Sequence, residues 1–271
     1  MSVPTFSPLE ALSPLDGRYF RDLSGLRSLF SEAGLIQKRV YIEAKWLKHL
    51  YQSKENLRLD LPFEKHAQTL VLLEKLIEPL SPEKIKRIKE IEKITNHDVK
   101  AVEYFIREEL EKVCTPPVWI SFLHFGCTSE DINNLSYALM LKEAIRTQML
   151  PMTQNLVQDL AERAQSFASS PMLSRTHGQS ASPTTMGKEL GLFAFRLKRQ
   201  ITQLSQVPFY GKINGAVGNY NAHHFVFPDI PWQELCQSFV EKELHLNWMP
   251  YSTQIECHDY LSEVCHILNR I

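Results

Sequence analysis

The chain has 271 residues, 44% of them hydrophobic and 23% charged, enough apolar material for one large or two moderate domains with a sizeable core. Thirty Lys and Arg against thirty-one Asp and Glu leave a formal charge of -1, which removes any global electrostatic case for nucleic acid or an anionic membrane; an anion site has to be local. The opening MSVPTFSPLEALSPLDGRYF lacks a basic segment followed by an apolar one, and no later run approaches about 18 apolar residues, so the expected location is cytoplasmic. Five cysteines, Cys114, Cys127, Cys236, Cys257 and Cys265, are odd in number and lack a CxxC pair, which predicts free thiols rather than a disulfide framework or a zinc ribbon.

Asp16-Gly17-Arg18-Tyr19 reads as a turn whose Arg18 could grip a phosphate with two N–H groups. Ile36, Val40, Ala44, Leu47 and Leu50 recur at helical spacing, as do Ile85, Ile88 and Ile91 after the cap and first-turn pair Ser81-Pro82. Thr95-Asn96-His97-Asp98 interrupts this pattern, with Asn96 and Asp98 as the candidate N-caps of a helix through Val99, Val102, Phe105, Ile106 and Leu110. Cys114-Thr115-Pro116-Pro117 breaks that helix and sets a boundary between a helical domain over 1–114 and a second domain over 115–271.

Cys127-Thr128-Ser129-Glu130-Asp131 opens a helix predicted from Ser129 to about Phe167 and kinked at Pro151, with Thr128 or Ser129 as cap and Asp131 near the helix dipole. Ser174-Arg175-Thr176-His177-Gly178-Gln179 is too rich in Ser, Thr and Gly for a helix interior, which places His177 on a turn before a helix from about Pro183 to Ser205. At about 1.5 Å per residue the two long helices span roughly 60 and 35 Å, more than a compact monomer buries, so they belong to an extended bundle completed by other chains. Three glycines between Gly211 and Tyr220 suit a loop where backbone approaches a ligand or a neighbouring helix, without the spacing of a dinucleotide fingerprint. Shorter helices follow over Pro231 to Leu246 and from His258 onward, the last still running at Ile271, as though the sequence were cut inside a helix.

His177 on a turn could give or take a proton near neutral pH; the plainer reading is a histidine that ties down a loop. The Thr95–Asp98 and Thr128–Asp131 clusters read equally as helix boundaries and as places where hydroxyls and free N–H groups hold a carboxylate or phosphate. His223-His224 and Glu256-Cys257-His258-Asp259 contain ligand types without metal-site spacing, so no metal is expected. Neither a GxSxG elbow nor a Walker motif is present. Three polar clusters at helix junctions suggest one composite pocket.

Taken together, Ser13-Pro14-Leu15-Asp16-Gly17-Arg18-Tyr19, Thr95-Asn96-His97-Asp98-Val99-Lys100-Ala101-Val102-Glu103-Tyr104, Thr128-Ser129-Glu130-Asp131-Ile132-Asn133-Asn134, Ser174 to Gln179 and Lys212-Ile213-Asn214-Gly215-Ala216-Val217-Gly218 closely resemble the bacterial-type adenylosuccinate lyase family of the fumarase/aspartase superfamily. The resemblance implies an all-α fold, a small helical N-terminal domain followed by long helices of a central bundle, in a homotetramer with shared active sites. It implies β-elimination of fumarate from adenylosuccinate, giving AMP, and from the succinyl-carboxamide ribotide of purine synthesis, with no cofactor or metal. By the same resemblance His177 is the acid. Arg18 and Tyr19 contact the nucleotide, and Asn96, His97 and Asp98 line the site. Thr128 and Ser129 hold the succinyl portion, and Gln254 is another substrate contact.

Two departures stand out. The family's Gly-Gln-Pro-Ala-Thr-Pro continuation reads Gly178-Gln179-Ser180-Ala181-Ser182-Pro183 here, and the Ser-Ser-x-Met-Pro-x-Lys-x-Asn loop with the family's serine base has no counterpart up to Ile271, as expected of an amino-terminal portion. Other readings are a different fumarate-releasing or cycloisomerase member of the superfamily, or a non-catalytic helical assembly module.

Overall fold

The computed structural model describes residues 11–57, 61–63 and 65–271; the first ten residues of the stretch inspected for a leader lie outside them. Contacts divide the chain into two units, Met1–Leu141 with Phe209–Cys257, and Lys142–Pro208 with His258–Ile271. Among the described residues no helix is long and apolar enough to cross a membrane.

The first unit is built on α2 (Glu32–Leu57), which follows α1 (Ser24–Phe30) and packs against α3 (Ala67–Ile77), α4 (Pro82–Thr95) and α5 (Asp98–Lys112). Ile36, Val40, Ala44, Leu47 and Leu50 are buried as their spacing predicts, and so are Ile42 and Trp46 on other sides of the helix, which makes α2 a core helix rather than a surface one. Val99, Val102, Phe105, Ile106 and Leu110 form the buried stripe of α5. The cap assignment changes: Asn96 ends α4 in the left-handed conformation at φ 51°, and His97 is the N-cap of α5, its ring accepting the Lys100 N–H. A short side chain that tolerates positive φ suits the helix exit better than the next entry.

The break at Cys114–Pro117 does not separate the contact units. Trp119 of α6 (Pro117–Ser121) stacks 4.8 Å from Tyr51, and Phe122 lies 4.7 Å from Phe63, so residues on both sides of the break share one aromatic cluster. In α7 (Ser129–Ala144), Ile132, Leu135 and Ala138 are buried. The interruption expected at Pro151 is a π-helical turn over Ile145–Met149, where the Leu150 N–H reaches back to the Ile145 carbonyl and Pro151 falls in the first turn of α8 (Leu150–Ser166). Proline has no N–H and crowds the carbonyl four residues back, so a wider turn ahead of it relieves both faults.

In the second unit, α8 leads into a hairpin of β1 (Pro171–Thr176) and β2 (Gln179–Thr185), then α9 (Met186–Gln206) and α12 (Asp259–Leu268). The helix expected from Pro183 begins three residues later, because Pro183 pairs with Leu173 in the hairpin and Thr185 caps α9 by accepting the Lys188 N–H. Gly187 lets α9 approach α8: a Cβ there would stand 2.2 Å from the Ala164 carbonyl oxygen. α12 spans Asp259–Leu268, after which the Asn269 N–H still reaches the Cys265 carbonyl four residues back, and the Arg270 and Ile271 N–H groups reach carbonyls three residues back.

The remaining elements of the first unit are β3 (Tyr210–Gly211), α10 (Asn221–Val226), α11 (Trp232–Ser238), a π turn over Phe239–Glu243 and β4 (Asn247–Trp248), which pairs in parallel with β3. Gly218, at φ 77°, lies against the segment after β4, where a Cβ would meet the Ser252 carbonyl oxygen at 2.3 Å. Gly218→Ala combines backbone strain with a clash and is expected to destabilise the chain by about 1–3 kcal/mol in urea unfolding. An unchanged midpoint and slope would show that this contact yields freely.

Candidate active site

Asp131 and Lys212 have fully buried side chains and form an ion pair at 2.9 Å. Two buried charges are tolerable when further hydrogen bonds support them, and Lys212 Nζ also donates to the Gly215 carbonyl at 3.3 Å. Asp131 Oδ1 also accepts the Asn214 N–H at 3.1 Å, while Oδ2 accepts the Thr128 N–H at 2.7 Å and the Gly215 N–H at 3.1 Å. Asn134, one turn further along α7, accepts the Lys212 N–H at 2.9 Å and donates to the Lys212 carbonyl at 3.1 Å. The glycine-rich segment therefore approaches a helix: Gly211 leaves room for Leu135, whose Cδ2 a Cβ would meet at 2.4 Å. Asp131 reaches back to the Thr128 N–H, half of a capping box, and so fixes the turn that presents Thr128 and Ser129.

The Thr95–Asp98 and Thr128–Asp131 clusters come together. His97 Nε2 lies 3.4 Å from Ser129 Oγ. Arg39, from α2, ties the two helix starts to each other, its Nη2 2.6 Å from Asp98 Oδ2 and its Nε 2.9 Å from Asn133 Oδ1. Burial alone would raise the Asp98 pKa, but the Val99 N–H and the Arg39 guanidinium outweigh it and hold the carboxyl below its ordinary value. Asn96 and His97 are exposed, Asp98, Thr128 and Ser129 half-buried.

Sequence reading missed Arg39, Glu43 and His124. Glu43 lies one turn beyond Arg39 on α2, fully buried, and holds His124 at 2.5 Å. Burial works against a charged His124, yet the Glu43 carboxylate more than compensates and raises its pKa. The signal was available: Arg39 and Glu43 interrupt the apolar stripe of Ile36, Val40 and Leu47 at helical spacing, and charges on a core helix need partners.

No hydrogen bond or ion pair among the described residues links Arg18, Tyr19 or Gln254 to His97 or Ser129. Arg18 and Tyr19 occupy exposed turns before α1, the guanidinium 5.7 Å from the tyrosine ring centre. Gln254 is exposed on the segment after β4, which Ser252 ties to Asn214 at 2.8 Å. His177 belongs to the second unit, where with Gly178 it forms the two-residue turn of the hairpin, both at positive φ, 52° and 72°. That is the geometry hairpins favour, here with an exposed imidazole at its tip 2.7 Å from Thr176 Oγ1.

His223, weighed above as a metal ligand, is buried among the rings of Phe125, Tyr220 and Trp232, with no hydrogen-bond partner for either ring nitrogen. Its ring fills the space beside Gly126, where a Cβ would stand 2.2 Å away. Burial, with a smaller contribution from His224, lowers its pKa to about 4. Among the described residues no group of three or more His, Cys, Asp or Glu side chains converges as metal ligands would.

A lyase family model matches residues 17–271. The chain belongs to the lyase family. It is 47% identical over 257 residues to an adenylosuccinate lyase from Haemophilus influenzae and 46% identical over 258 residues to one from Escherichia coli, in each case covering 95% of the chain and 56% of the relative. The chain thus spans a little over half the length of these relatives. Its fold is that of a fumarate lyase from Mesorhizobium sp. BNC1, with a TM-score of 0.71, 18% identity and coverage of 91% of this chain and 53% of that one. A 3-carboxy-cis,cis-muconate lactonizing enzyme from Pseudomonas putida has a TM-score of 0.68 at 18% identity, covering 91% of this chain and 52% of its own. The all-α expectation stands, with the two short two-stranded sheets as its local exceptions.

The buried His223 makes stability depend on pH. Its value in the folded chain lies below the ordinary 6.5, so above that pH both states are neutral and stability is full; as pH falls towards 4 the unfolded chain binds the proton first and stability is lost. Between pH 7 and pH 5 the loss from this residue is expected to be about 2 kcal/mol. Urea unfolding at both pH values should show a smaller drop for His223→Phe, which keeps the ring packing. Equal drops would show that the imidazole has a partner in solution.

Proposed function

We propose that this chain carries a large part of the site of an adenylosuccinate lyase, which eliminates fumarate from adenylosuccinate to give AMP and acts likewise on the succinyl-carboxamide ribotide of purine synthesis. The observation that carries the reading is the meeting of His97 and Ser129 at the starts of α5 and α7, braced by the Arg39–Asp98 pair. Two motifs distant in sequence converge, and both belong to the set shared with the bacterial lyases.

The chemistry asks for a base to take the proton from the carbon beside a carboxylate, an acid to protonate the nitrogen as the carbon–nitrogen bond breaks, and dipoles to stabilise the aci-carboxylate. In this reading the acid is His177, exposed at the hairpin tip. Thr128 and Ser129 hold the succinyl carboxylates, Asn96, His97 and Asp98 line the pocket, Arg18 and Tyr19 take the nucleotide, and Gln254 contacts substrate. No metal or cofactor takes part, and the location is cytoplasmic. The serine base belongs to a loop pattern absent from residues 1–271.

Self-association is part of the proposal. In the second unit α8 buries none of its residues, and Met152 and Phe195 are 73% and 71% exposed, with Leu156, Leu192 and Phe193 also exposed. Apolar faces of this kind call for partner chains, in the lyase reading a homotetramer with shared sites.

The test joins an adenylosuccinate-to-AMP absorbance assay to light scattering. The 271-residue chain alone is expected to self-associate without turnover. Fused to the remaining segment of the Escherichia coli relative it is expected to turn over, and His177→Ala should lower that rate about 100-fold or more with the fold intact. Turnover by the chain alone would move the base into residues 1–271. A folded fusion active only on other succinyl adducts would shift the reading to another lyase of the superfamily, and one inactive on every adduct would overturn it.

A further inference from the structure

Arg39 is an unusual residue for its place: a cation on a core helix, 3% exposed, spending its donors on Asp98 and Asn133 rather than facing a pocket. What it controls lies one residue away from its partner. His97 Nδ1 accepts the Lys100 N–H at 3.2 Å as the N-cap of α5. A backbone N–H only donates, so Nδ1 presents its lone pair, and a neutral imidazole then carries its proton on Nε2. Nε2 is the atom 3.4 Å from Ser129 Oγ, so the ring N–H points at the hydroxyl oxygen and leaves the serine proton free to donate elsewhere.

This tautomer has a competitor in the same structure. Asp98 Oδ1 is 3.5 Å from His97 Nδ1, and a carboxylate at that place would welcome an N–H and pull the proton to Nδ1. Both oxygens of Asp98 are otherwise engaged. Oδ1 accepts the Val99 N–H at 2.8 Å, and Oδ2 is pinned at 2.6 Å by Arg39, which Asn133 keeps from following if the carboxylate turns. That charge-assisted contact is the side-chain hold on Asp98, beside the backbone hold from Val99.

We propose that Arg39 is a positioning residue that, by anchoring the Asp98 carboxylate, fixes His97 as its Nε2-protonated tautomer directed at Ser129. The use of that N–H as a donor to an anionic substrate oxygen rests on the lyase reading; the tautomer itself does not.

The test is nitrogen-15 NMR of the histidine rings in the full 271-residue chain at a pH where His97 is neutral, which needs no turnover and so stands or falls apart from the lyase activity. Wild type is expected to show the protonated-nitrogen shift at Nε2 and the bare-nitrogen shift at Nδ1. In Arg39→Met the Nδ1-protonated form should become the major one, and Arg39→Lys, which keeps a cation for Asp98, should restore the wild-type pattern. If Arg39→Met fails to fold, Arg39→Gln, with a donor for Asn133 but no cation, is expected to show the same flip. A wild-type ring protonated on Nδ1, or a folded Arg39→Met or Arg39→Gln with the wild-type pattern, would overturn the assignment.

Discussion

A buried carboxylate organises the first unit. Asp131 sits in the first turn of α7 and gathers the Lys212 ammonium and three backbone N–H groups, from Thr128, Asn214 and Gly215. None of these donors could be left without a partner in a dry interior except at a cost of about 1–3 kcal/mol each, and an unpaired charge costs more. The carboxylate therefore dictates where the glycine-rich segment runs, and the segment in turn dictates the rest. Asn214 holds Ser252 and with it the stretch bearing Gln254, while Gly215 packs against Gly126, beside which His223 fills the space. The turn that displays Thr128 and Ser129 is thus fixed from beneath by groups that never reach the surface.

How much of this could be read from the sequence depends on which force places each residue. Periodicity found α2 and α5 because burial of Val40, Leu47, Val102 and Ile106 is a one-dimensional pattern. It could not find the β1–β2 hairpin: Ser174, Arg175, Thr176 and Gln179 carry no clear alternation of apolar and polar residues, and the decisive signal, two successive residues at positive φ, is a histidine followed by glycine rather than the usual Asn-Gly. The cap of α5 went to Asn96 and Asp98 on propensity, whereas the structure gives it to His97, since Asn96 is more useful ending α4. Arg39 and Glu43 were hidden for another reason. Reading a stripe for its apolar members passes over the charged ones, although those are the residues that turn a core helix into a bracket for the site.

The two units present their polar groups differently. The first unit offers rigid donors at helix starts, each set by hydrogen bonds to neighbours that are themselves fixed. The second offers His177 on a hairpin tip, a position whose shape is set by backbone geometry more than by packing, since the imidazole is exposed. In the proposed lyase reading, donors that only bind gain from fixed positions and an imidazole that moves a proton gains from access. In the second unit α8 buries none of its residues, and Phe193 and Phe195 of α9 are exposed.

The central claim, that Asp131 fixes the scaffold from which Thr128 and Ser129 are presented, is tested most directly by amide hydrogen exchange across residues 126–131 and 211–218. Thr128, Asn214 and Gly215 should exchange slowly, with protection approaching that of the α5 core, while the neighbouring exposed Ala216 and Val217 exchange as open loop residues do. Exchange at Asn214 and Gly215 as fast as at Ala216 would contradict the account, since it would mean that the carboxylate does not hold the segment it was inferred to organise.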